Sequence, residues 1–154
     1  MKITEILGPG FVIADILART KKDILTELAR PIADKYNTDL SAMVSILLNR
    51  EKLGSTGIGD GVAIPHGRVT DLRTIASSIG ISHDGLKFDA LDGKPCYIFF
   101  LLIAPGNSSG GHLKALARAS MLLKDPVLRQ NLIASEDAQE IYRLIQEKDM
   151  ALGE

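Results

Sequence analysis

Tryptophan is absent, cysteine occurs once, and aromatic residues make up only 5 % of the 154 residues. A single cysteine, Cys96, cannot close a disulfide within the chain, so it reads as a buried thiol in a protein of the reducing cytoplasm. Charge of one sign is also missing: 18 Lys plus Arg stand against 19 Asp plus Glu, a net charge of −1. That balance lacks the basic excess that draws proteins to phosphate backbones, and no nucleic-acid partner is expected. The longest apolar run, Cys96–Ala104, is about half of a bilayer span. Met1–Gly10, interrupted by Glu5, Gly8 and Pro9, has no signal-type apolar stretch, and no direct membrane insertion is expected. The three histidines, His66, His83 and His112, have no metal-motif spacing.

The length suits one domain, residues 1–154, large enough to bury a core without staples. Thr20-Lys-Lys-Asp23 reads as a capping box, followed by Ile24, Leu25, Leu28, Ile32 and Ala33 at helical spacing. Pro31, which cannot donate to the carbonyl of Glu27, predicts a kink or a split there. A second helix starts after Asp39 and ends by Gly54, and Gly54–Gly61, with four glycines, reads as a loop. Strands are predicted at Thr74–Ser82 and Cys96–Ala104, the second apolar on both faces as a central strand must be; Ser82–Gly85 supplies turn chemistry. After the glycine-rich segment 106–111 come helices over His112–Leu123, from the Asp125-Pro126 cap, and from Ser135 to about Glu147. This order predicts an α/β sheet covered by helices on both faces.

Nucleotide motifs fail. Gly54–Gly61 lacks the Gly-Lys-Ser/Thr ending of a phosphate loop, and Gly57-x-Gly59 meets Val62 where a dinucleotide fingerprint needs its last glycine. Ala76-x-Ser78-x-Gly80 comes close to a nucleophile elbow, but its serine lies within a predicted strand instead of at a strand-to-helix turn. His66 stands out by position: Pro65 holds Ile64 extended, and Gly67 leaves room for a partner. His112 opens a helix, where free N–H groups and the dipole favour an anion. His83, in a polar turn, reads as exposed and inert. A neutral imidazole on a rigid turn, a Gly/Ser/Thr loop before it and a second imidazole at a helix start suit a histidine that accepts a phosphoryl group. One ring nitrogen must be free to attack while the other donates its proton, and transfer through a loose in-line transition state asks the protein for positioning and donors.

The stretch Arg50–Gly67, with its core Ala63-Ile64-Pro65-His66-Gly67, closely resembles the active-site signature of the type-2 (fructose/mannitol and nitrogen-regulatory) enzyme IIA proteins of the bacterial phosphotransferase system. Lys87–Pro95, the run ending Ile103-Ala-Pro105, and His112-Leu113-Lys-Ala-Leu116 are similar to that family's later landmarks in the same order. The resemblance implies the type-2 enzyme IIA fold, a mixed sheet of about five strands flanked by helices. It also implies a phosphocarrier in which His66 takes a phosphoryl group from a phosphohistidine carrier protein (HPr-like) and His112 stabilises it. Neither a metal nor a nucleotide cofactor is required.

Arg50 matches an arginine near the family's site, the alternative being a surface ion pair; Ser55 and Thr56 either donate to the phosphate or hold the turn. Arg68 is a candidate for donor recognition, the alternative being a solvated charge after a turn, and Asp60 lies where some members carry another polar residue. Three readings follow: a nitrogen-regulatory carrier whose phosphorylation state controls regulated target proteins, favoured by the lack of an attached transporter domain; a sugar-uptake enzyme IIA that passes the group to an enzyme IIB; and a binding module that is never phosphorylated. Association into a homodimer is left open.

Overall fold

Alternating apolar side chains along Cys96–Pro105 define the middle of the molecule: Phe99, Leu101 and Ile103 enter one core, Ile98 and Phe100 another, and all five are fully buried. The computed structural model describes residues 1–108 and 110–153. In chain order the strands are β1 (Val12–Ile13), β2 (Gly57–Gly59), β3 (Val62–Ala63), β4 (His66–Val69), β5 (Ala76–Leu86) and β6 (Cys96–Pro105). The helices are α1 (Lys21–Tyr36), α2 (Leu40–Lys52), α3 (Gly111–Leu122), α4 (Pro126–Ala134) and α5 (Ala138–Leu152). The predicted loop at 106–111 includes Ser109, which lies outside the described residues.

The sheet runs β1-β5-β6-β3-β2, and β4 also pairs with β6. β6 is antiparallel to β5 and parallel to both β3, at Ile98 and Phe99, and β4, from Leu102 to Pro105. β3 and β4 therefore lie in succession along the same side of β6, parted at Ile64-Pro65, where proline has no N–H for the ladder. Leu102 bridges the break by donating to the Pro65 carbonyl at 2.9 Å. α1 and α2 cover the Phe99 face, and α3, α4 and α5 cover the Phe100 face. The predicted α/β sheet with helices on both sides is what forms, with six strands among the described residues instead of about five. Small residues in β5 admit α1 and the segment before it closely: Ser78 donates to the Leu28 carbonyl at 2.7 Å, and a Cβ on Gly80 would lie 3.1 Å from Leu28 and 2.3 Å from Ile16.

Four local expectations change. Gly54–Gly61 is not loop throughout, because Asp60 (φ 56°) and Gly61 (φ 76°) form a two-residue turn between antiparallel β2 and β3. β5 continues through the predicted turn at Ser82–Gly85 to Leu86, with its register against β6 shifting after Ile81. Of the kink or split expected at Pro31, the split does not occur, and α1 runs as one helix to Tyr36. One lost hydrogen bond and the ring clash cost about 3 kcal/mol, while burying Ile24, Leu25, Leu28 and Ile32 completely stabilises by about 1.5–3 kcal/mol each. The last helix is capped by Asp137, whose side chain accepts from Gln139 N–H, not by Ser135, and it runs past Glu147 to Leu152. Asp125 caps as read, Thr20 accepts the Asp23 N–H as half of the capping box read there, and Asp39, after which α2 is expected to start, caps that helix through Ala42 N–H.

The extra turn of α5 carries a buried ion pair. Arg118 of α3 binds Asp149 at 2.8 Å and donates to the carbonyls of Asp149 (2.7 Å) and Gly153 (2.6 Å), while Thr4 N–H donates to the Asp149 carboxylate at 3.0 Å. Burial alone would raise the Asp149 carboxyl, but the Thr4 and Ile3 N–H groups and the Arg118 guanidinium outweigh it and hold the group below the ordinary carboxylate range. A lowered folded value makes this contribution complete above about pH 4 and lost as pH falls through the folded value. Asp149→Ala should destabilise by about 3–5 kcal/mol at neutral pH, a gap that narrows on acidification. Urea unfolding at several pH values checks this, and a pH-independent loss below about 1 kcal/mol contradicts it.

Candidate functional site

His66 begins β4 immediately after the Pro65 break, and its ring is half-buried. Its Nδ1 lies 2.9 Å from the Ile64 carbonyl oxygen. A carbonyl can only accept, so Nδ1 carries the ring proton and the Nε2 lone pair is free. The space expected beside Gly67 for a partner is taken within the chain: a Cβ there would lie 3.0 Å from Ile46 of α2. That close approach seats the end of α2, with Arg50 and Glu51, under the His66 turn.

His112, the second residue of α3, faces His66 edge-on with ring centroids 5.6 Å apart and planes 62° apart. Only 8 % of it is exposed, and its Nδ1 has no hydrogen-bond partner among the described residues. Burial, then His66, then Arg68 push its pKa below the ordinary imidazole value, which favours the neutral ring. A cavity of about 220 Å³ opens beside His66, walled by Arg50, Ser55 and Thr56, by Ile58 of β2, and by Leu116 and Ser120 of α3. A larger cavity of about 580 Å³, lined by Thr70, Leu72, Arg73, Gly106 and Asn107, offers no imidazole, thiol or carboxylate.

The other candidates divide by where their donors go. Arg50 lines the cavity and donates to the Gly54 carbonyl at 2.9 Å. Ser55 Oγ gives its hydrogen to Phe88 O (2.6 Å) and accepts from Gly57 N–H (3.0 Å), which ties the loop to 88 and to itself. Thr56 Oγ1 donates to the Glu51 carboxylate. Arg68 is exposed on β4, and Asp60, also exposed, spends its N–H on Asp92 Oδ2 at 3.2 Å. His83 is not the exposed group expected: half-buried, it places Nδ1 3.0 Å from Ile133 O and Nε2 2.9 Å from Ala14 O. Cys96 is fully buried, and burial pushes its thiol up to about 11. Among the described residues no group of three or more His, Cys, Asp or Glu is arranged to hold a metal ion, and no helix is long and apolar enough to cross a membrane.

Sequence reasoning passed over Glu51, Leu116 and Ser120. His112, Leu116 and Ser120 recur every fourth residue and so share one face of α3, a spacing that could have marked the wall. For Glu51 the signal was weaker, a carboxylate in the last turn of α2, where the helix dipole disfavours one.

An α/β domain with two facing histidines at a sheet edge is the class that this geometry defines. Residues 5–148 match the family described as "Phosphoenolpyruvate-dependent sugar phosphotransferase system, EIIA 2". The chain is 39 % identical to a nitrogen regulatory protein of Bradyrhizobium diazoefficiens over 94 % of its length and 95 % of that protein's. It is 35 % identical to the fructose-specific EIIABC component of Bacillus subtilis over 97 % of its own length but 24 % of that longer protein. Its fold superimposes on the crystal structure of nitrogen regulatory protein IIA-Ntr from Neisseria meningitidis with a TM-score of 0.86, at 31 % identity, covering 93 % of this chain and 98 % of that one. The chain belongs to the phosphotransferase-system EIIA 2 family, a phosphotransfer component.

If burial is the main cause of the His112 shift, Arg68→Gln should raise the His112 titration midpoint slightly yet leave it below the ordinary value. NMR titration of the ring protons measures both, and a wild-type midpoint at or above the ordinary value contradicts the arrangement.

Proposed function

We propose that the chain is a phosphocarrier that accepts a phosphoryl group on His66 Nε2 from the phosphohistidine of an HPr-like carrier protein. Its phosphorylation state then regulates partner proteins. The observation that carries this reading is the Nδ1–H bond to Ile64 O, which leaves Nε2 unprotonated in a half-buried ring beside a cavity. In the step itself, the donor's phosphorus–nitrogen bond breaks as the bond to Nε2 forms, and the electron pair of the broken bond stays on the donor nitrogen. Nδ1 keeps its proton throughout. Transfer of this kind needs alignment and donors for the equatorial oxygens. His112 supplies a ring N–H, the start of α3 supplies free backbone N–H groups, and Arg50 supplies a guanidinium suited to phosphate geometry. Ser55 and Thr56, whose hydroxyl hydrogens are already given to Phe88 O and Glu51, support the turn. Arg68, exposed two residues beyond His66, is the candidate contact for the donor protein.

Adding about −1.5 to −2 charges beside His112 redraws the potential of this surface, the physical basis for control of partners by phosphorylation. The similarity to nitrogen regulatory proteins supports the regulatory assignment. A second reading, transfer to an enzyme IIB in sugar uptake, is supported by the Bacillus relative. The single-domain reading of residues 1–154 and the cytoplasmic location belong to the same proposal, since a carrier of this kind meets soluble partners.

With enzyme I, carrier protein and phosphoenolpyruvate, the wild type should gain one phosphoryl group by mass. His66→Ala should gain none, and His112→Ala should be labelled more slowly or lose its label faster. Labelling of His66→Ala at the wild-type rate contradicts the assignment. Rapid loss of label to one of a panel of IIB proteins would favour sugar uptake over regulation, and a wild type that is never labelled would favour an unphosphorylated binding module.

A further inference from the structure

Glu51, in the last turn of α2, is a carboxylate with only 7 % of its surface exposed, directly beneath the loop that leads to His66. Its Oε1 accepts from Thr56 Oγ1, and the Thr56 N–H lies 3.3 Å from both carboxylate oxygens. The Thr56 carbonyl accepts the Ile64 N–H at 3.0 Å. The Ile64 carbonyl in turn accepts the His66 Nδ1–H at 2.9 Å. Three donors in succession, from His66, Ile64 and Thr56, therefore all point toward one buried negative charge. Lys21 of α1 stands at the far end, 3.4 Å from Glu51 Oε2 and 4.8 Å over the Phe88 ring, and partly offsets that charge.

Burying a carboxylate costs several kcal/mol, and an apolar side chain of similar volume would fill the same space without that cost. Besides the Lys21 contact, what the carboxylate does here is hold Thr56 through both its hydroxyl and its N–H, and among the described residues the Thr56 hydroxyl donates to no other group. We propose that Glu51 is a positioning residue for the phosphoryl acceptor: by anchoring Thr56 it sets the Ile64 carbonyl, and through that carbonyl the tautomer and aim of the His66 ring. Partners at one remove that orient a histidine in this way change reactivity by about 10–100-fold when removed from metal sites. The inference rests on the phosphoryl-acceptor reading of His66, but its first readout does not.

The test compares wild type with Glu51→Ala, Glu51→Gln and Thr56→Val, each checked for folding by thermal unfolding. The ¹⁵N shifts of the His66 ring, recorded with no phosphoryl donor present, report the tautomer; the rate of labelling by phosphorylated carrier reports the consequence. Glu51→Ala should mix the two tautomers and slow labelling about tenfold or more. Glu51→Gln, whose amide oxygen can still accept from Thr56, should recover the Nδ1–H tautomer and most of the rate. Thr56→Val, which removes only the hydroxyl link, should shift both readouts in the same direction by less, and it carries the test if Glu51→Ala does not fold. A folded Glu51→Ala with the wild-type tautomer and rate overturns the inference, as does a Glu51→Gln no better than Glu51→Ala. Should wild type take no label at all, the phosphocarrier reading fails while the tautomer comparison still decides the role of Glu51.

Discussion

The hydrogen bond from His66 Nδ1 to the carbonyl of Ile64 spans two residues, yet the arrangement of the sheet edge serves it. Pro65 interrupts the pairing along β6 between β3 and β4, and the Ile64 carbonyl meets the imidazole there. On either side of that break β6 stays paired, with β3 before it and β4 after it. Here the backbone is clamped by β6 on one side and by Ile46 against Gly67 on the other. Free rotation of the ring would leave Nε2, the proposed acceptor, protonated for part of the time; the hydrogen bond to Ile64 disfavours that tautomer.

The second histidine is held by different means. His112 depends on the position of α3, and α3 is fixed at its far half by the Arg118–Asp149 pair to α5 and to the N-terminal segment at Thr4. Burial, an approaching imidazole and a nearby guanidinium all favour its neutral form. The neutral form of His112 keeps a ring N–H to donate while its ring stands 5.6 Å from that of His66, so under the phosphocarrier proposal a donor is already in place for a phosphoryl oxygen.

The fold class, and the two histidines that the fold brings face to face, could be picked out from the chain because each leaves a local mark: an apolar run for β6, a Pro-His-Gly turn for His66, a helix start for His112. What escaped reading depends on partners distant in sequence. Asp60-Gly61 is a hairpin signal, but β2 and β3 have only three and two residues, too short for alternation to show. Pro31 reads as a helix breaker, and the helix persists because four fully buried side chains hold both halves against the sheet. His83 looks like a turn residue until Ala14 and Ile133, 69 and 50 positions away, bring their carbonyls to its ring. Glu51 and Thr56 lie in the signature stretch itself, yet the link from Thr56 to Ile64 is visible only once β2 and β3 have folded together.

The most direct test of the central claim is the identity of the nitrogen that carries phosphorus. Phosphorylated protein labelled with ¹⁵N, examined for ³¹P–¹⁵N coupling within the His66 ring, should show phosphorus on Nε2 with Nδ1 still protonated. Phosphorus on Nδ1 would mean that the Ile64 carbonyl does not set the reactive face of the imidazole, and the account built on that bond would be wrong.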